Sequence, residues 1–422
     1  MTTPSLAELT AASFRIGCLG FGGPAGQIAL MHRVFVQEKK WLGEAEYLHA
    51  LNYCMLLPGP EAQQLATYAG WRLHGVRGGV IAGALFVLPG ALVVFGLTWL
   101  YATLGTTPLV SALFYGIKAA VIGFILEALY KVGKRSLKTA GDLALALLAF
   151  LGLFLFALPF PLVIAAAAAI GLARSFGAPA EASTGSTSAA PKAGRAFVTA
   201  LIWAAVWFAP LAAAFAMLGP DHVLTRVGVL FSKLALVTFG GAYTVLAYLQ
   251  QQAVEAEGWL TAPQMIDGLG LAETTPGPLV LVNQFVGFMA GWQAEGGGLA
   301  LAAMAAAMAS WCTFAPSFVW IFAGAPFAEA IRRSRAAKGM LQAITAAVFG
   351  IIAKIAVVFA IAVLFRDVAA GGVPDPASLD LAALLIAGAA AVALIRYKAN
   401  ILLVVTACAL AGLIRLVLPG AA

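Results

Sequence analysis

Apolar runs make up nearly all of this chain. Thirteen can be traced, at about 5–36, 45–76, 79–102, 109–130, 142–157, 159–173, 197–218, 223–250, 262–292, 298–325, 340–365, 380–395 and 399–418. A membrane-spanning helix needs roughly 20 apolar residues. Lipid offers the backbone no hydrogen-bond partners, so such runs must fold as helices. Of the 422 residues, 62% are hydrophobic and 10% are charged, whereas a soluble domain carries about 25% charged residues. The expectation is an all-α integral membrane protein, with no segment left for a sizeable soluble domain. A soluble enzyme, a disordered chain and a basic-faced nucleic-acid reader are excluded. The net charge of +7 fits Lys and Arg collected in cytoplasmic loops.

The chain repeats itself. Phe21-Gly22-Gly23, Trp41-Leu42, Pro58-Gly59-Pro60 and Gly78-Gly79 each recur 218 residues later, as Phe239-Gly240-Gly241, Trp259-Leu260, Pro276-Gly277-Pro278 and Gly296-Gly297. Ala119-Ala120-Val121 and Gly123 recur at an offset of 227, as Ala346-Ala347-Val348 and Gly350. The nine extra residues fit the basic loop Arg332 to Lys338. Four regions follow: an N-terminal repeat (1–173), a polar cytoplasmic linker (174–195), a connecting transmembrane helix (196–219) and a C-terminal repeat (220–422). The linker includes the low-complexity run Glu181 to Ala190, EASTGSTSAA.

Charge orients the halves. The loop after the first Phe-Gly-Gly carries Arg33, Lys39 and Lys40; its copy, Gln250 to Glu257, carries Glu255 and Glu257 and no base. Six segments per half, with a seventh between, would turn the second copy over. An inverted repeat of two homologous helical halves is therefore expected, as in many secondary transporters. Bases flank the second segment at both ends, which a single crossing would split between two faces. This favours two half-helices that meet at a break and return to the same side; the alternative is a kinked but complete crossing. The breaks are Gly20 to Pro24 and Pro58 to Pro60, with their copies.

Broken backbone at membrane depth must be buried in protein or line a wet cavity. A helix that starts there offers free N–H groups and a positive dipole end, which suit an anion. Pro60 and Pro278 suit the first helical position, where a missing N–H costs nothing. The candidate substrate-binding residues are Gly22, Gly23, Pro24, Gly59, Pro60, Gln63, Gln64, Gly240, Gly241, Gly277, Pro278 and Asn283. Kinks or close helix contacts are the plainer reading of these motifs. Arg15 and Lys233 align at the same 218 offset and are candidate anion-attracting bases, or else bases that snorkel to the interface. Glu61 and Glu273 are the proton-coupling candidates; Glu61 also suits the dipole of its own helix start. Glu127 aligns with Lys354 at the 227 offset, as partners across the repeat axis or as boundary residues.

Other signals are negative. Cys18, Cys54, Cys312 and Cys408 lie far apart in apolar stretches, so no disulfide framework or metal site is expected. His32, His49, His74 and His222 have no ligand spacing. Met1 to Ser13 has no basic stretch, so the first apolar segment is the expected insertion signal. There is no phosphate loop, paired cysteine or cofactor motif. No cofactor, catalytic residue or nucleic-acid partner is expected.

The stretches FGGPAGQIALMHRVFV, LNYCMLLPGPEAQQL and GWRLHGVRGG resemble the first-half signature of the chromate ion transporter family. FGGAYTVLAYLQQ and AETTPGPLVLVNQFVGF resemble its second-half signature. The resemblance covers essentially the whole chain and matches the long, two-domain subgroup. It implies a multi-pass inner-membrane exporter that lowers cytoplasmic chromate and so gives chromate resistance. It also implies sulfate, a tetrahedral dianion, as competitor or counter-substrate. The alternatives are a transporter of sulfate or another oxyanion, or an anion channel. Two charges moved down 100 mV release roughly 4.6 kcal/mol, so potential, proton gradient or anion exchange suffices as a drive. The oligomeric state stays open, a homodimer among the options.

Overall fold

The computed structural model describes residues 4–176, 193–239, 242–328, 334–369 and 372–417. Gly240, Gly241, most of the linker and Arg332 and Arg333 of the basic loop lie outside the described residues. In the first repeat the helices are α1 (Leu6–Leu19), α2 (Gly23–His32), α3 (Glu44–Cys54), α4 (Glu61–Leu104), α5 (Pro108–Ser136), α6 (Ala140–Phe154) and α7 (Phe160–Phe176). The connecting helix is α8 (Ala193–Leu218). The second repeat has α9 (Val223–Val237), α10 (Ala242–Leu249), α11 (Ala262–Thr274), α12 (Val282–Gln293), α13 (Leu299–Phe314), α14 (Pro316–Gly324), α15 (Arg335–Leu364), α16 (Leu381–Ile395) and α17 (Ile401–Val417). Among the described residues the only β pairing is two isolated bridges, Phe365 with Leu379 and Val368 with Pro374.

The all-α membrane expectation holds. Five of the described helical stretches are long and apolar enough to cross a membrane: Glu61–Leu104, Pro108–Ser136, Gly194–Leu218, Leu299–Phe327 and Arg335–Leu364. The helices α6, α7, α16 and α17 are equally apolar and shorter. Large aliphatic side chains such as Leu92, Leu148, Leu385 and Leu403 stand exposed on the outer faces. A belt of this kind aggregates in water and suits a lipid surround.

The broken segments fold back on themselves. Arg72 of α4 bonds Glu46 of α3. At 1.5 Å per residue a straight helix would hold those 26 positions about 39 Å apart. Arg15 of α1 likewise reaches Glu38, just beyond α2, and Arg226 of α9 reaches Glu257, beyond α10. In the fourth pair, a Cβ on Gly268 of α11 would overlap the ring of Phe285 on α12. Exposed ion pairs contribute about 0–1 kcal/mol, so these pairs report direction more than they supply stability. α4 itself doubles back at His74 and Gly75 (φ +61). There Gly70 and Gly78 pack so closely that a Cβ on either would overlap the other's carbonyl oxygen.

Local detail repeats as well. The π-helical turn Arg33–Glu38 recurs as Gln250–Ala256. The bond from Trp41 N–H to Phe35 O recurs from Trp259 N–H to Ala253 O, both 2.8 Å. Lys40 (φ +52) and Gly258 (φ +64) make the same left-handed turn. Long-range packing is crossed between repeats: α5 lies against α16 and α17, while α15 lies against α6 and α7. The contacts are small-residue contacts. Gly116 of α5 meets the Cys408 carbonyl of α17, and Gly350 of α15 meets the Ala146 carbonyl of α6.

Overpacking a close contact costs about 1–3 kcal/mol. Gly116→Val should therefore lower the unfolding midpoint in detergent, as scanning fluorimetry would show. Gly194→Ala, where a Cβ meets nothing, should leave it unchanged.

Candidate functional site

The three breaks within the described residues carry glycines in left-handed backbone. Gly22 (φ +86) and Gly23 (φ +68) start α2, with Pro24 in its first turn. Gly59 (φ +102) precedes α4, and its copy Gly277 (φ +95) precedes the turn into α12. Pro60 and Pro278 are the capping residues of the helices that follow, one position earlier than the sequence suggests. A cap position is equally free of the need for an intrahelical N–H.

The breaks of one repeat are bonded to those of the other. Gly277 N–H donates to Gly20 O at 3.0 Å, and Gly59 N–H donates to Thr238 O at 2.9 Å. Gly59 and Gly277 are equivalent by the 218 offset, and so are Gly20 and Thr238. The two bonds are thus one contact made twice, reciprocally, as across a local two-fold axis. Gln27 reinforces one of them: its amide donates to Gly277 O at 2.6 Å and Gly20 O at 3.2 Å.

A small cavity sits at this crossing. Its walls pair equivalent residues: Pro60 with Pro278, Glu61 with Leu279, Ala62 with Val280, and Gln27 with Val245. Its volume is about 20 Å³, room for about one water. Above it opens a vestibule of about 810 Å³ that adjoins a second lobe of about 470 Å³. Both lobes share Gly22, Glu127, Lys131 and Glu273. Gly23, Pro24 and Glu61 also line the larger lobe, and its rim carries Arg33 and Arg135. Glu61 alone among the acids borders both the small cavity and the vestibule. The Tyr243 hydroxyl donates to Glu273 Oε1 at 2.6 Å, and Lys131 Nζ lies 2.6 Å from Glu127 Oε1.

The amides next to the breaks hold backbone carbonyls or, for Asn283, a threonine hydroxyl. Gln64 donates to Pro58 O at 2.7 Å, Gln63 to Phe314 O at 3.4 Å, and Asn283 to Thr313 Oγ1 at 3.0 Å. Gln63, Gln64 and Asn283 are buried beside the breaks and do not line either cavity. Arg15 and Lys233 are not brought to the site. Arg15 is exposed and paired with Glu38 at 3.3 Å, and Lys233 stands on the exposed face of α9. Glu127 and Lys354 do not pair with each other: Glu127 holds Lys131, and Lys354 holds Glu255 at 3.3 Å.

Three groups escaped the sequence reading. Gln27 and Tyr243 carry the signal of being polar where the other repeat has Val245 and Ala25. Asp267, buried in α11, accepts from Tyr101 Oη at 2.9 Å and lies 3.6 Å from Lys118 Nζ. Among the described residues no cluster of His, Cys, Asp or Glu could hold a metal ion. The first-turn amides of α2 and α4 have no intrahelical acceptor. The arrangement therefore offers backbone donors and a positive helix end beside a basic-rimmed vestibule.

A family model described as "Chromate transporter" matches residues 7–172 and 225–413. The chain is 32% identical over 365 residues to the chromate transport protein of Cupriavidus metallidurans, covering 85% of this chain and 83% of that protein. It is 30% identical over 413 residues to the chromate transport protein of Pseudomonas aeruginosa, covering 97% and 92%. The uncharacterized transporter YwrB of Bacillus subtilis is 30% identical over 149 residues, 35% of this chain and 76% of that protein. No solved structure matches the chain.

Without the Gln27 amide, Gly20 O would keep its bond from Gly277 N–H, but Gly277 O would lose its Gln27 donor, and leaving one buried carbonyl without a donor costs about 1–3 kcal/mol. Gln27→Leu should lower the detergent unfolding midpoint, whereas Val245→Leu at the equivalent position should not.

Proposed function

The chain belongs to the chromate transporter family, and we propose that it is a secondary transporter exporting chromate from the cytoplasm across the inner membrane. The observation that carries this reading is the small cavity where the described breaks meet, with one wide vestibule beside it. A substrate site at the axis of two repeats, reached from one side at a time, is the geometry of alternating access. On this reading the repeats are inverted about an axis in the membrane plane. The broken segments are re-entrant, and the vestibule with Arg33 and Arg135 faces the cytoplasm. YwrB, most of whose length matches little more than a third of this chain, fits two transporter repeats joined by α8.

Chromate enters the vestibule past its bases and meets Gly22, Gly23 and Pro24 at the start of α2 and Gly59 and Pro60 at the start of α4. Gly277 and Pro278 supply the other half, with Gly240 and Gly241 assigned to it by the 218 offset alone. Gln63, Gln64 and Asn283 keep those backbones in place. The present cavity is too small for a tetrahedral dianion, so binding requires the repeats to part. Export of two negative charges down 100 mV, negative inside, releases roughly 4.6 kcal/mol. Glu61 and Glu273 border the path and carry protons in exchange.

Purified protein in liposomes tests this, with potential and pH gradients imposed separately. Saturable chromate flux should follow an imposed potential, and sulfate should compete. A strict need for ATP, or flux without saturation, would sink the proposal. Gly22→Val places a β-branched residue at φ +86 and crowds the anion's backbone donors. It should abolish flux while the protein remains in the membrane.

Glu273→Gln should remove the response to a pH gradient and leave potential-driven flux measurable. Unchanged pH dependence in both Glu273→Gln and Glu61→Gln would rule out these two as proton carriers.

A further inference from the structure

Equivalent positions of the two repeats are packed very differently. On the vestibule side Leu48 is 46% exposed, and Ala29 and Leu51 border open space. Their copies in the second repeat are shut: Ile266 is 0% exposed, Ala247 5% and Leu269 0%. The same backbone thus encloses an open vestibule in one repeat and a closed one in the other. Its closed counterpart has a lining that the offsets name: α10, α11 and the stretch of α15 equivalent to the vestibule face of α5.

One polar contact marks the closed side. Gln37 and Glu127 both line the open vestibule. Their equivalents are Glu255, at the 218 offset, and Lys354, at 227. Those two are joined, with Lys354 Nζ 3.3 Å from Glu255 Oε1 and the lysine side chain only 12% exposed. Where the first repeat holds two wall residues around a wide space, the second holds an ion pair. Met265, Ile266 and Leu269 of α11, each fully buried, replace Tyr47, Leu48 and Leu51.

We infer that Lys354 and Glu255 form the latch of a second vestibule, and that Lys354 becomes its anion-binding cation when the latch parts. The inference rests on the alternating-access reading above. The open vestibule has a lysine of its own, Lys131, one helical turn beyond the residue equivalent to Lys354 and likewise held by a glutamate. Each side of the path thus offers an incoming oxyanion one lysine that must exchange a carboxylate for it. In the exchange the dianion takes the lysine, leaving one net negative charge at the site, and the released carboxylate turns to solvent as that side opens.

Cysteine accessibility in liposomes tests the latch. Cys18, the one native cysteine that is not buried, is first replaced by Ala. A membrane-impermeant maleimide should label Leu48→Cys from the face bearing Arg33 and should not label Ile266→Cys from either face. Adding Glu255→Gln should raise labelling of Ile266→Cys from the opposite face about tenfold, a population shift of roughly 1.4 kcal/mol. Leu269→Cys provides the same readout if Ile266→Cys does not fold. Lys354→Met should open that face as Glu255→Gln does. It should also raise the half-saturating chromate concentration on that face, which Lys354→Arg restores.

If neither cysteine is labelled in Glu255→Gln or during turnover, while the parent protein transports chromate, the latch is overturned. Equal labelling from both faces would also overturn it. If the labelling shifts as described but no chromate moves, the latch stands and the substrate assignment fails.

Discussion

Everything near the centre of this protein depends on two crossed backbone bonds, Gly277 N–H to Gly20 O and Gly59 N–H to Thr238 O. A helix broken at membrane depth leaves peptide groups that lipid cannot satisfy, at a cost of several kcal/mol each. Side chains such as Gln27 and Gln64 satisfy some carbonyls of their own repeat's breaks, but the N–H groups of Gly59 and Gly277 find their acceptors in the other repeat. Each supplies the partner that the other lacks, and the same pair of positions does it both times. This requirement fixes how the halves meet, and it accounts for the strict 218 register of the glycine and proline motifs. A one-residue slip in either copy would part both bonds. Gln27 adds donors at one crossing only, so the crossings share a backbone but differ in stiffness.

The backbone keeps the two-fold relation where the side chains do not. Glu61 faces Leu279 across the small cavity, Gln27 faces Val245, and Tyr243 and Glu273 stand where the first repeat has Ala25 and Met55. Electrostatics gives the reason. A symmetric pair of carboxylates around space for one water would repel, and one of them would be forced neutral. Divergence after duplication leaves one acid per equivalent pair. Two of them, Glu127 and Glu273, hold a lysine and a tyrosine hydroxyl. Symmetric scaffold and asymmetric chemistry are therefore complementary: the first sets where the cavities lie, and the second sets which charges line them.

Much of this was legible in the residues because its causes are local. Apolar runs identify the solvent, glycine and proline mark the breaks, and ungapped copies reveal the duplication. Lys and Arg at both ends of one segment favoured a fold-back over a straight crossing, but the residues alone left a kinked, complete crossing open. Tertiary partners were not legible. Arg15 and Lys233 share the register of the true breaks, yet α1 and α9 turn them outward, away from the cavity. Glu127 and Lys354 align as copies, but each bonds within its own repeat, where a nearer partner exists. Asp267 escaped because its partners, Tyr101 and Lys118, lie more than 140 positions away. The amides of Gln63, Gln64 and Asn283 were readable as neighbours of the breaks, but their direction, toward two carbonyls and the Thr313 hydroxyl, depends on distances that spacing does not carry.

The acids of the vestibule pose the remaining electrostatic question. Glu61, Glu127 and Glu273 all border the route proposed for a dianion. Two unit charges 4 Å apart interact by about 4 kcal/mol at an effective dielectric near 20, so a dianion meets about twice that from each bare carboxylate. That opposition exceeds what the membrane potential releases at 100 mV. Passage on the proposed route therefore requires each acid to be covered at the moment the anion goes by. Lys131 covers Glu127 only until the anion claims the lysine. Tyr243 gives Glu273 one hydrogen bond, which leaves its charge in place. Protonation is the remaining way to silence an acid that cannot move away. On the proposed route the proton then travels in register with the substrate, and the coupling needs no dedicated proton channel.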